Sequence, residues 1–139
     1  MNNKSICIAA LFISCVSGSA YASEKQFTLR TCVEVSSEMN KNVPVVIDKY
    51  TMLDTTFCTP GRFKPTLHYR ASMAAPRARL NNFRVASIEM RRLQTNSWCT
   101  EPNQLKLLQQ VDVLNVYYDR DRKFIGQIPL RLEDCLTRR

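Results

Sequence analysis

His68 is the single histidine of the chain, and it is the one side chain whose ordinary pKa would let it act as a general base near neutral pH. It stands between Leu67 and Tyr69, on the polar side of an alternating run. The plainer reading is a surface strand histidine. A small hydrolase or nuclease centred on it would need a carboxylate such as Asp54 or Glu89 beside it, and arginines for a phosphate. One histidine cannot build a two-histidine metal site. No HExxH, CxxC, GxSxG, P-loop or GxGxxG pattern occurs, and with only three glycines (Gly18, Gly61, Gly126) phosphate-cradling loops have little to be made from. Asp119, Asp121, Glu133 and Asp134 are spaced by lysine and arginine, which reads as a solvated turn and strand end rather than a calcium loop. Neither a catalytic residue, nor a metal, nor a cofactor is assigned on this pattern.

Charge is the stronger functional signal. Twenty lysines and arginines face twelve acids, a net charge of +8. The densest basic stretch is 70–92, and Arg70, Arg77, Arg79, Arg84, Arg91 and Arg92 are the candidate binding residues. Arg77, Arg84 and Arg91 repeat at seven-residue offsets and share a side if the helix there starts early. Arginine suits bidentate contact with carboxylate or phosphate, although a solvated helix face is the bland alternative. Nucleic-acid binding ranks low, because the aromatics alternate into the presumed core apart from Tyr117 and Trp98. The expected partner is an acidic protein or an anionic envelope component.

The compartment follows from the first residues and the cysteines. A basic start, an apolar run over 5–16 and Ala20-Tyr21-Ala22 read as a secretory signal peptide, residues 1–22, cleaved before Ser23. A lipidated Cys15 is the competing reading. Cleavage leaves a single α+β domain over 23–139 with a charge of +7, in the periplasm or secreted. Four cysteines remain: Cys32, Cys58, Cys99 and Cys135. An even number in an exported chain implies disulfides. Of the three possible pairings, Cys32–Cys58 and Cys99–Cys135 each join elements close in sequence and are favoured.

The elements that must position these residues are read from periodicity. A helix is predicted over 23–42, with Leu29, Cys32, Val33 and Met39 inward, and Pro44 ends it. Runs over 51–57 and 63–72 flank the Pro60-Gly61 turn as a hairpin. Leu80, Phe83, Ala86, Met90 and Leu93 step by three and four, predicting a helix over 80–95. Thr100 is the expected N-cap of a short helix with Pro102 in its first turn, and Leu105, Leu108 and Val111 buried. Leu114, Val116 and Tyr118 alternate with Asn115 and Tyr117. After the charged turn 120–123, Ile128, Leu130 and Leu132 face one way along a last strand. The expected architecture is an antiparallel four-stranded sheet of two hairpins, with about three helices on one face and two disulfides.

The pattern also resembles known proteins. Asn42-Val43-Pro44-Val45-Val46-Ile47-Asp48 with Thr51-Met52-Leu53-Asp54, Cys99-Thr100 with Leu107-Leu108, Val116-Tyr117-Tyr118-Asp119, Ile125-Gly126 and Asp134-Cys135 together resemble a group of small, uncharacterised exported proteins of Gram-negative bacteria. The tail, a Cys-helix-strand-strand-Cys unit, resembles the soluble domain of pilotins of the type found in Vibrio type II secretion. Those are lipoproteins that bind a secretin segment; this chain departs from them in that its best cleavage site is not a lipobox. The function expected is a non-enzymatic periplasmic binding or accessory protein using the exposed sheet face or edge with the arginine-rich surface. The alternatives are an inhibitor or immunity protein against a cell-wall lytic enzyme, and the hydrolase or nuclease on His68.

Overall fold

The computed structural model describes residues 27–74 and 82–137. The stretch read as a signal peptide and the segment carrying Pro76, Arg77 and Arg79 lie outside the described residues. The elements in chain order are α1 (Leu29–Asn40), β1 (Val45–Val46), β2 (Thr51–Thr59), β3 (Thr66–Met73), α2 (Phe83–Thr100), α3 (Pro102–Leu108), β4 (Asp112–Tyr118), β5 (Phe124–Leu130) and α4 (Leu132–Leu136). The strands form one five-stranded sheet in sequence order. No described helix is long and apolar enough to cross a membrane.

Both expected hairpins are present, β2–β3 and β4–β5, but they join differently from a continuous antiparallel sheet. β3 and β4 run parallel, with Leu67 opposite Val113 and Ala71 opposite Tyr117. The reason is the long connection between them: α2 and α3 return the chain along the sheet, so β4 starts at the end where β3 started. Two further corrections to the count follow. Val45-Val46 pairs with Met52 and Leu53 as a fifth, two-residue edge strand, and residues 132–136 turn as a fourth helix instead of prolonging β5. The helix predicted over 80–95 runs five residues further. Thr100 is its last residue, and its hydroxyl bonds back to Asn96 O at 2.8 Å, so Glu101 and not Thr100 caps α3.

The helices pack on one face. Cys32, Leu67, Leu108, Val111, Val113 and Leu130 form one buried cluster, with Trp98 edge-on to Tyr69 at 6.1 Å. Ala71, Phe83, Tyr117 and Ile128 form the second, backed by Met73, Met90 and Ile125. Gly126 leaves room there for Phe83, since a Cβ would collide with one edge of its ring. In β4 the inward parity is Val113, Asn115 and Tyr117, and Tyr117 is only 4% exposed. The outward set is therefore Leu114, Val116 and Tyr118. Apolar content misleads here because Asn115 is satisfied from above: its amide donates to Gln94 Oε1 at 3.2 Å, and Gln94 donates to the Tyr117 hydroxyl at 2.6 Å. On α2, likewise, Leu93 is 53% exposed while Thr95 is buried with its hydroxyl on Arg91 O. Phe63, the first residue of the run expected over 63–72, is 89% exposed and precedes β3.

α1 is fastened to β2 by covalent and polar links. The pairings Cys32–Cys58 and Cys99–Cys135 are both formed, with Cα separations of 5.9 and 5.4 Å. Loops of 26 and 36 residues correspond to about 3–4 kcal/mol each in the chain-entropy model. The inward stripe of α1 is Cys32 and Ser36 continuing to Asn40, not the expected Leu29 and Val33, which are exposed. Asn40 explains the difference. Its amide donates to Thr56 O at 2.8 Å and its carbonyl accepts from Thr56 N at 2.7 Å, so one side chain satisfies a peptide unit on the outer edge of β2. The Thr56 hydroxyl adds bonds to Ser36 O and Asn40 Oδ1. Replacing Asn40 with Ala leaves a part-buried N–H and C=O unpaired. Denaturant unfolding of Asn40→Ala should show a loss of about 2–4 kcal/mol, with the midpoint moved and the slope kept.

Candidate functional site

The face of the sheet opposite the helices carries three cross-strand rows. Phe57, His68, Leu114 and Pro129 lie side by side; Thr55, Arg70, Val116 and Gln127 follow; then Met52, Ser72, Tyr118 and Phe124. Phe57, Met52 and Phe124 are exposed, and Leu114, Val116 and Pro129 are half-buried. The described helices leave this face uncovered.

A cleft of about 690 Å³ opens at one end of it, where β3 and β4 finish. Met52, Asp54, Arg70, Ser72 and Tyr118 make its floor. One wall is the turn after β1. There Asp48 Oδ1 accepts from the backbone N–H of Tyr50 at 2.8 Å and of Thr51 at 2.9 Å. The other wall is the turn before β5, where Asp119 Oδ1 accepts from Asp121 N at 2.9 Å and Lys123 N at 2.8 Å. Arg122 takes a left-handed φ of 61° in that turn, and Arg120 reaches across to the Ala74 carbonyl at 3.4 Å. The two aspartates thus build the walls by local side-chain to backbone bonds. On the floor, the Arg70 guanidinium lies 4.3 Å from the centre of the Tyr118 ring, a cation–π contact. Ser72 donates to Asp54 Oδ1 at 3.1 Å. Asp54 sits where β2 slips register between Leu53 and Thr55, and bulges of this kind re-aim a side chain.

The arginines singled out from the sequence do not all meet. Arg70 is in the cleft. Arg77 and Arg79 lie outside the described residues. Arg84, Arg91 and Arg92 are exposed on α2, in the layer on the other side of the sheet. Arg91 bonds Asp134 at 3.1 Å, and Arg92 Nε bonds Glu89 at 2.8 Å. The Arg92 guanidinium holds the Glu89 carboxyl below its usual range. Glu89 is therefore on the far side of the sheet from His68, and Asp54 is engaged by Ser72. His68 itself stacks on Phe57 at 4.4 Å and hydrogen-bonds the Thr59 hydroxyl at 2.8 Å. Among the described residues, no hydrogen bond joins it to a carboxylate. Ser72, Met52 and Tyr118 are cleft residues that sequence reasoning missed, and Asp54 was considered there only as a carboxylate for His68. The available signal was Tyr118, which follows the outward alternation of Leu114 and Val116 and ends beside a charged turn.

Neither a scan against protein-family models nor a search of curated proteins found a match. Solved structures do match. A Pseudomonas aeruginosa protein described as secreted superposes with a TM-score of 0.65 at 13% identity, covering 81% of this chain and 96% of that one. The pilotin EpsS of the Vibrio vulnificus type 2 secretion system gives 0.55 at 7% identity, over 82% and 96%. The pilotin AspS of the Vibrio cholerae type II system gives 0.54 at 10%, over 84% and 99%. The resemblance read from the sequence, to small exported proteins and to these pilotins, holds at the level of fold. The two disulfides fit an extracytoplasmic compartment.

Burial lowers the His68 pKa from its ordinary 6.5, so the folded protein prefers the neutral ring. The unfolded chain then takes up the proton first as pH falls, and this group costs stability below about 6.5, levelling off under the folded pKa. The NMR titration midpoint of His68 should lie below that of an unfolded histidine. Wild type should lose stability relative to His68→Gln between about pH 7 and pH 5.

Proposed function

We propose that this chain is a non-enzymatic accessory protein of the periplasm that binds a segment of another protein on the helix-free face of its sheet. The observation that carries this reading is the uncovered face itself, with apolar side chains in rows and a cleft of about 690 Å³ at its end. His68, held by Phe57 and Thr59, supports a surface role over hydrolysis. The edge is a poorer docking place than the face: the outer edge of β2 is occupied by β1 and Asn40, and β5 contains Pro129. Pilotins are one precedent for an accessory task on this fold. An acidic partner fits the charge of the chain, with Arg70 making contact in the cleft and Arg77, Arg79, Arg84, Arg91 and Arg92 adding long-range attraction.

Photo-cross-linking in the periplasm decides between the two faces. A photoreactive residue at Val116 should give a discrete protein adduct, and the same residue at Ile88, exposed on α2, should not. Equal adducts from both positions, or none from Val116, would refute the reading.

A further inference from the structure

Among the described residues, the cleft holds a cation with no anionic partner, Arg70. Arg70 is half-buried, and among the described residues its guanidinium makes no hydrogen bond and no ion pair. Its contact is the face of Tyr118. Stacking restrains the plane of a guanidinium and leaves its edge N–H groups directed sideways, the geometry that grips a planar oxyanion at two points. Because Arg70 is only partly buried, those N–H groups stay open to a ligand entering the cleft. The acids nearby are differently placed: Asp48 and Asp119 are used by their own turns, and Asp54 accepts from Ser72.

We infer that Arg70, braced by Tyr118, is the anchor of the site and takes a single carboxylate of the partner segment. This rests on the cleft being the docking place. The charge of the lining argues for one carboxylate and against a polyanion. Lys49, Arg70, Arg120 and Arg122 are offset by Asp48, Asp54 and Asp119, leaving a formal +1. A second negative group on the ligand would fall towards Asp54. Met52 lines the same space and offers adaptable apolar contact for the side chain beside the carboxylate. The carboxylate has two possible sources, an acidic side chain or the free end of a chain.

Isotope-labelled protein would be titrated with blocked tripeptides and followed by NMR at the Arg70 Nε–H and the Ser72 and Tyr118 amides. The probes are acetyl-Leu-Glu-Leu-amide, acetyl-Leu-Gln-Leu with a free carboxylate, the fully blocked acetyl-Leu-Gln-Leu-amide, and inorganic phosphate. At least one acidic peptide should bind about tenfold or more tighter than the fully blocked one, and whichever does identifies the source. Arg70→Lys, which keeps the charge and loses the fork, should weaken that peptide by about tenfold. Equal binding of the blocked peptide, phosphate binding as well as the peptides, shifts at Arg84 in place of Arg70, or no peptide binding would each overturn the inference. Cross-linking at Val116 in the Arg70→Lys background keeps the two levels apart. A full-yield adduct there would sink the anchor and leave the docking face standing, whereas no adduct in either background removes the docking face.

Discussion

The parallel pairing of β3 with β4 is the constraint on which the rest of this structure depends. Two neighbouring strands that run the same way need a return path at least as long as themselves, and here α2 and α3 supply it. That path lies over one face and brings Phe83, Met90 and Trp98 down onto the sheet. α1 is drawn to the same side by Cys32–Cys58. The result is a two-layer domain with one dry face and one wet face. The ends of β3 and β4 also come out together, and the turns that border those ends enclose the cleft.

A sheet with one bare face must still manage its edges. At the β2 edge a two-residue strand and one asparagine side chain do this. Asn40 supplies both a donor and an acceptor at the spacing of a peptide, so the edge is filled without a further strand. At the other edge Pro129 interrupts the donors of β5. With both edges blunted, the face that the described helices leave uncovered is the larger surface the sheet offers.

Much of this was legible in the sequence. Cysteine count and compartment led to both disulfides, and periodicity placed the main helices and both hairpins. Three things were not legible, each for a physical reason. The parallel direction of β4 against β3 depends on the return path that α2 and α3 provide, which periodicity within a strand does not encode. The inward side of β4 was inverted because Leu114 and Val116 look like core, whereas Asn115 reaches the interior only because Gln94, twenty-one residues earlier, is there to receive it. The cleft was missed because its parts come from four strands and two turns. Of the arginines, Arg70 could be placed by strand parity alone, but its distance from the α2 series required knowing which layer each occupied.

The aspartate-tied turns bear on what sort of binder this fold makes. Asp48 and Asp119 each spend a carboxylate oxygen on two backbone N–H groups, so both walls of the cleft are set before anything arrives. On the proposed function, an incoming segment would meet walls already tied by these bonds and not a pair of loops waiting to fold around it. Little chain entropy is left to be lost on the protein's side, and there is correspondingly little freedom to remould around a poor fit. Such a receptor would discriminate by the shape of the segment, which suits one client more than many.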